Sequence, residues 1–275
     1  MHIVPANGAN IPALGFGTFR MTEDEVLSVL PAALAAGFRH VDTAQIYGNE
    51  AAVGEAIAES GAPRQEIFLT TKVWVSEFAQ DRFAASVEKS LEKLRTDYVD
   101  LLLLHWPGGS DVPHSEQIAS LNAVRDRGWT RHIGVSNYNV AQMAEAIRLS
   151  PAPIATNQVE YHPWLDQSKL LAACRASGVS LTAYYAMADG KSARDPVLAE
   201  IGRTHGKSAA QVALRWLVQQ EGVVALSKTA KVSRLGENLS IFDFELTQEE
   251  MARIFALGSA EGRIVDPKEL APAWD

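Results

Sequence analysis

The stretch Leu14-Gly15-Phe16-Gly17-Thr18, continued through Thr22 and Gly37 into Phe38-Arg39-His40-Val41-Asp42, is one strand–helix–strand unit. Thr22 is placed to cap a helix, and Glu25 completes a capping box. Val26, Val29, Leu30, Ala33 and Leu34 recur at the spacing of a single helix face, and Gly37 stops the run. The glycines choose between two ways of closing a parallel α/β fold. An open dinucleotide-binding sheet carries Gly-x-Gly-x-x-Gly directly after its first strand. Gly15-Phe16-Gly17 has no third glycine in place, and the segment behind it is not a phosphate loop. A closed (β/α)8 TIM barrel is therefore the expected fold.

Outward from this unit the same alternation repeats. Strands are expected at 67–72, 98–104, 130–135, 154–159, 179–184 and 222–227, and helices near 49–60, 80–95, 115–127, 139–148, 166–177 and 208–220. In the helix over 80–95, Phe83, Val87, Leu91 and Leu94 line one side. Val99–Leu104 is almost continuously apolar, as a parallel strand covered on both faces should be. No linker or low-complexity segment divides the chain, so residues 1–275 are expected to form one barrel domain, a usual length for that architecture.

Composition narrows the function classes. Of 275 residues 47% are hydrophobic, enough for a large core, and 25 Lys+Arg against 33 Asp+Glu leave a net charge of −8, which argues against nucleic acid as a partner. The single cysteine, Cys174, can form no intrachain disulfide and no thiolate metal cluster, and sits in an apolar run as a small buried hydrophobe would. No metal site, no secretion signal and no membrane span is expected, which makes a cytoplasmic protein the expectation.

In such a barrel the reactive groups stand where strands end and the βα loops begin. Asp42 ends Phe38–Val41, Lys72 ends Ile67–Thr71, His105 ends Leu101–Leu104, and Tyr47 follows in the loop after Asp42. Taken singly, each has a plain structural explanation: a solvated lysine, a packed histidine or tyrosine, a helix-capping aspartate. Together they make a coherent set of a proton donor, a cation, an anion to hold the cation and a hydrogen-bond donor, all on one face.

The runs Gly37–Glu50, Thr71-Lys72-Val73-Trp74, Leu104-His105-Trp106-Pro107, Gly134-Val135-Ser136-Asn137-Tyr138 and Asn157-Gln158-Val159-Glu160-Tyr161 resemble the aldo-keto reductases, and in particular their bacterial diketogluconate and methylglyoxal reductase branch. That resemblance, which extends from Ile11 to the C-terminus, implies an oxidoreductase that reduces aldehydes or ketones with NADPH. It implies Tyr47 as general acid, with Lys72 lowering the phenol's pKa, Asp42 orienting Lys72, and His105 positioning the carbonyl. Ser136, Asn137 and Gln158 would hold the nicotinamide carboxamide and Tyr184 would stack on its ring. The other end of the cofactor would meet Ser227, Lys228, Thr229, Arg234, Glu237 and Asn238, with Lys228 and Arg234 on the 2′-phosphate. Bacterial members are commonly monomers, with a small-molecule aldehyde or ketone as the only partner.

Two departures bear on the pocket. Ser227 and Thr229 stand where the family usually carries proline and serine, which puts the loop's rigidity in question. The segment after Tyr184, Tyr185-Ala186-Met187-Ala188-Asp189-Gly190, also differs from the usual Ser-Pro-Leu. The loop after His105 and the C-terminal tail are short, so an open pocket walled by Phe19, Trp74, Trp106 and Trp274 is expected, suited to apolar or ring-like carbonyls. Two other functions compete. A lyase would use Lys72 as a Schiff base, which Asp42 beside it disfavours. A regulatory barrel would bind the cofactor with weak or no turnover.

Overall fold

The computed structural model describes residues 2–275. It opens with an antiparallel hairpin, β1 (Ile3–Ala6) and β2 (Ala9–Pro12). Its two-residue turn, Asn7-Gly8, has both residues at positive φ, 45° and 91°, the geometry that matches strand twist and that Asn-Gly tolerates. Asn7 Nδ2 donates to the carbonyls of Ile154 and Ser177, fixing the hairpin across the N-terminal end of the barrel.

β3 (Leu14–Gly17) begins the barrel and α1 (Glu23–Ala36) follows. The expected capping box is formed: Thr22 Oγ1 accepts from Glu25 N at 3.2 Å, and Glu25 Oε2 accepts from Thr22 N at 2.9 Å. Val26, Val29, Leu30, Ala33 and Leu34 are the buried face, and Gly37 ends the helix at φ 114°. The chain then alternates through β4 (His40–Asp42), α2 (Glu50–Glu59), β5 (Phe68–Val73), α3 (Gln80–Leu94), β6 (Val99–Leu104), α4 (His114–Asp126), β7 (Thr130–Ser136), α5 (Val140–Leu149), β8 (Ile154–Glu160), α6 (Ser168–Ala176) and β9 (Ser180–Tyr184). Two helices, α7 (Pro196–His205) and α8 (Ala209–Val218), precede β10 (Val223–Ser227), and α9 (Leu235–Leu239) and α10 (Gln248–Phe255) close the order.

β3 to β10 pair in parallel and in sequence, and β10 pairs with both β9 and β3, so the sheet closes into an eight-stranded barrel. Every residue of β6 is buried, as its apolar run requires. Gly15 has its own reason. A Cβ there would lie 2.6 Å from Leu226 Cδ2 and 2.8 Å from His40 Nδ1, so the glycine serves barrel closure rather than phosphate binding.

Three helices, α7, α9 and α10, and the hairpin lie outside the expected pattern. α7 starts with Asp195 capping Val197 N and Leu198 N and Pro196 at the first helical position, an N-terminal signal in a segment where no helix was expected. α9 and α10 complete the outer wall at the C-terminal side, and α10 is tied to α7 by His205 Nε2 and Glu250 at 2.9 Å.

Candidate active site

The C-terminal ends of the strands surround a pocket of about 400 Å³. Asp42 from β4, Tyr47 from the 3-10 turn Gln45–Tyr47, Lys72 from β5 and His105 just after β6 meet around its floor. Lys72 is fully buried, and its ammonium donates to Asp42 Oδ1 at 2.6 Å, the Thr43 carbonyl at 2.9 Å and the Tyr47 hydroxyl at 3.3 Å. These three acceptors account for its three protons. Asp42's other oxygen accepts from Gln158 Nε2 at 2.7 Å, so both carboxylate oxygens are engaged.

The local chain explains why Tyr47 stands there. Asn49 is buried behind it, donating to the Thr18 and Met21 carbonyls while its own oxygen accepts from the Thr43 hydroxyl at 3.0 Å. This ties the loop after β3 to the loop after β4. Gln45 does the same sideways, accepting from Trp74 N at 2.9 Å and donating to Ser86 and Ser90.

Burial dominates the electrostatics. It pushes the Tyr47 phenol well above its ordinary range, and the Asp42 and Tyr185 groups push the same way. The expectation that Lys72 pulls this phenol down is therefore reversed at the level of the whole site, and Tyr47 holds its proton firmly. Lys72 is itself lowered by burial, opposed by its ion pair with Asp42. His105 lies well below the usual histidine range through burial and the Lys72 charge, so its ring is neutral. Its Nδ1 is buried with no partner, and Trp74 and Tyr47 stand edge-on to the ring at 5.2 Å and 5.7 Å.

One side of the pocket carries Ser136, Asn137, Gln158 and Tyr184 in a connected network. Tyr184 OH donates to Asn137 Oδ1 at 2.7 Å, Asn137 Nδ2 donates to the His105 carbonyl at 3.0 Å, and Ser136 Oγ donates to the Gln158 carbonyl at 2.8 Å. Asn137 holds φ at 65°, a left-handed conformation that asparagine accepts more readily than most residues. The strand ends thus bring all four positions together, with Asn137 also bonded to His105 and Gln158 to Asp42.

The opposite end is more open. Lys228 lines the pocket and is exposed, and Arg234 is exposed with no carboxylate partner among the described residues. Ser227 is buried at the end of β10 with Oγ on the Gly15 carbonyl at 3.3 Å. Thr229 Oγ1 accepts from Lys231 N at 3.0 Å, closing a local turn in this segment. Glu237 accepts from Ser208 Oγ at 2.6 Å, so its carboxylate braces α9 against α8, and Asn238 is buried on α9.

Phe19, Trp74 and Trp106 line the pocket as expected, Phe19 being 41% exposed at the mouth and Trp106 almost buried. Trp274 does not. It stacks on Arg263 at 3.5 Å and donates to Asp266 at 2.8 Å. Tyr185 and Met187, from the divergent segment after Tyr184, also line it, as do Arg20, Ile46 and Val265, which were not singled out from the sequence. Arg20 and Ile46 adjoin residues that were. Val265 has no such signal, because it arrives from the far end of the chain.

A largely apolar, aromatic-walled pocket with amide groups on one side and the exposed Lys228 at its other end is chemically suited to a dinucleotide of nicotinamide type. Comparison with known proteins agrees. The Aldo/keto reductase family matches residues 13–258. The methylglyoxal reductase DkgB of Escherichia coli O157:H7 is 44% identical over 96% of this chain and 99% of its own. Two solved structures are similar: one provisionally assigned as a 2,5-diketo-D-gluconic acid reductase B (67% identity, TM-score 0.99, 100% and 98% covered) and the aldo-keto reductase of Bombyx mori in complex with NADP (32%, 0.90, 96% and 94%). The chain belongs to the aldo/keto reductase family and is an oxidoreductase that reduces aldehydes or ketones to alcohols.

Proposed function

We propose that this chain reduces small aldehydes and α-dicarbonyl compounds of the methylglyoxal kind with NADPH as reductant, working as a cytoplasmic monomer. The observation that carries the reading is the chain Asp42–Lys72–Tyr47 beside a neutral His105 at the pocket floor. The similarity to a methylglyoxal reductase and the modest pocket volume favour a small substrate.

Ser136, Asn137 and Gln158 would hold the carboxamide of the nicotinamide, Tyr184 its ring, Lys228 and Arg234 the 2′-phosphate, and Asn238 the adenine. Thr229, Ser227 and Glu237 would act by shaping that segment, since their side chains are committed to the protein. When bound, the reduced nicotinamide supplies hydride to the carbonyl carbon.

The protein's own part is to place the carbonyl oxygen and to deliver a proton to it. His105, uncharged and with Nδ1 buried without a partner among the described residues, offers a hydrogen bond to the oxygen and fixes its position. Tyr47 keeps its proton until negative charge develops on that oxygen, then transfers it from the phenol. Lys72, held by Asp42, stabilises the phenolate that forms, and Gln158 holds Asp42. The aromatic walls, Phe19, Trp74 and Trp106, exclude water around the substrate. A Schiff base at Lys72 would require all three of its hydrogen bonds to break.

Loss of NADPH absorbance with methylglyoxal tests the activity, and Tyr47→Phe tests the acid. The variant should lose about 10²-fold or more in kcat. Its NADPH affinity, read by fluorescence titration, should stay within about twofold, because the hydroxyl matters mainly in the transition state. Retention of a tenth of the activity would remove Tyr47 from the role.

A further inference from the structure

The carboxylate of Glu160 is fully buried at the C-terminal end of β8, next to Tyr184 in the strand register, yet it takes no part in the proton chain. Oε1 accepts from His162 Nε2 at 2.8 Å and from Ile264 N at 2.7 Å, and Oε2 accepts from Val265 N at 2.8 Å. His162 is held in turn, its Nδ1 accepting from Trp164 N at 3.3 Å. No Lys or Arg forms an ion pair with this carboxylate among the described residues. Burying a carboxylate is expensive, and an apolar side chain would fill the space without that penalty. What the carboxylate adds is direction: it grips two consecutive backbone amides more than a hundred residues away.

Those amides belong to the stretch that forms the last wall of the pocket. Val265 lines it, while Ile264 points outward at 47% exposure. The tail is also tied on both sides of this point, before it through Ser259, whose N donates to the Trp164 carbonyl at 3.2 Å. Gly262 lies so close to the Trp164 carbonyl that no Cβ fits, the Leu270 carbonyl accepts from Gly108 N at 3.1 Å, and Asp275 accepts from Val140 N at 2.9 Å. The tail is thus strung from the β8 loop across to the loops after β6 and β7.

We propose that Glu160 is a positioning residue for substrate selection: its carboxylate pins Ile264 and Val265 so that the tail sets the reach of the pocket beside Tyr184. The inference rests on the carbonyl-reductase reading of the same pocket. A compact substrate meets chiefly Tyr47 and His105, whereas a bulky aromatic aldehyde also meets Val265. Releasing the tail therefore acts on the large substrate through KM and leaves the proton chain in place.

The full-length Glu160→Gln protein tests this. Gln keeps the shape but presents an NH2 group to one pair of donors. Hydrogen exchange at the Ile264 and Val265 amides should quicken about tenfold or more, as expected for loss of charge-assisted hydrogen bonds. The ratio of kcat/KM for 2-naphthaldehyde to that for methylglyoxal should fall about tenfold, carried by KM. Val265→Ala, with Glu160 intact, should change the same ratio while the Ile264 amide stays protected. Unaltered exchange in Glu160→Gln, or an equal loss for both aldehydes carried by kcat, would overturn the proposal. If that variant does not fold, an unchanged ratio in Val265→Ala overturns it as well. A wild-type protein with no turnover would instead defeat the carbonyl reading, leaving the exchange measurement to judge Glu160.

Discussion

Lys72→Met separates the chemistry of Lys72 from its part in the fold. The ammonium lies 3.3 Å from the Tyr47 oxygen and 2.6 Å from Asp42 Oδ1, with no solvent access. At an effective dielectric of about 20, a unit charge 3.3 Å from a full phenolate contributes roughly 5 kcal/mol. The phenolate is only partly formed in the transition state, so about half of that bears on the rate, equivalent to about 10²-fold in kcat. The same change strands Asp42. Gln158 still donates to it, but a buried carboxylate stripped of its cation typically costs about 3–5 kcal/mol of stability. For a chain of this size that is a fall in Tm of about 10 °C. A second change then divides the two effects. Lys72→Met with Asp42→Asn places a neutral amide where the lone carboxylate was, so most of the lost stability should return while kcat stays down. Steady-state kinetics and thermal unfolding on the wild type, both single variants and the double variant provide the comparison. Recovery of kcat together with Tm would show that Lys72 acts only by holding the fold, and would refute the electrostatic role derived for it.

Three further outcomes follow from the same geometry. Arg234→Ala should weaken NADPH binding by about tenfold and leave NADH nearly unchanged, the difference shrinking at high salt because the site is exposed; equal losses for both cofactors, measured by fluorescence titration, would mean that Arg234 only shapes the loop. His40 and His105 are both buried with pKa values held below 6.5, so the unfolded chain takes up protons that the folded chain does not as pH falls below about 6.5. Stability should therefore be fully present above that pH and decline on acidification at up to about 1.4 kcal/mol per pH unit for each ring. On the alkaline side the Tyr47 proton should not limit kcat/KM, because its pKa is raised, whereas Lys72, lowered from its ordinary value, should; an alkaline limb that is unchanged in Lys72→Met would contradict this.

Local chemistry made a large part of the molecule readable from its residues. The capping box at Thr22, the apolar face of α1 and the unbroken run of β6 are determined by neighbours a few positions away, and the helix and strand form where those signals lie. The same holds for the polar residues that end apolar strands. Parallel closure puts every strand's C-terminal end on one face, so Asp42, Lys72 and His105 had to converge once the barrel was the fold. Signals of the same local kind also mark the Asn7-Gly8 hairpin and the Asp195-Pro196 start of α7, to which no element was assigned from the sequence.

Other properties are set by groups far apart in the chain. Lys72 beside Tyr47 suggests a lowered phenol pKa, but desolvation by the surrounding barrel outweighs that neighbour and raises it. Gln158 serves Asp42 across 116 residues, and Glu160 grips amides at 264 and 265. Trp274, expected at the pocket, turns instead onto Arg263, and Val265 takes the wall. Burial depends on the packing of the entire chain, and hydrogen bonds form between whichever groups the fold brings within about 3 Å. Sequence spacing encodes neither of these, so the residue types at the site were legible one by one, whereas their partners and protonation were decided only when the barrel closed.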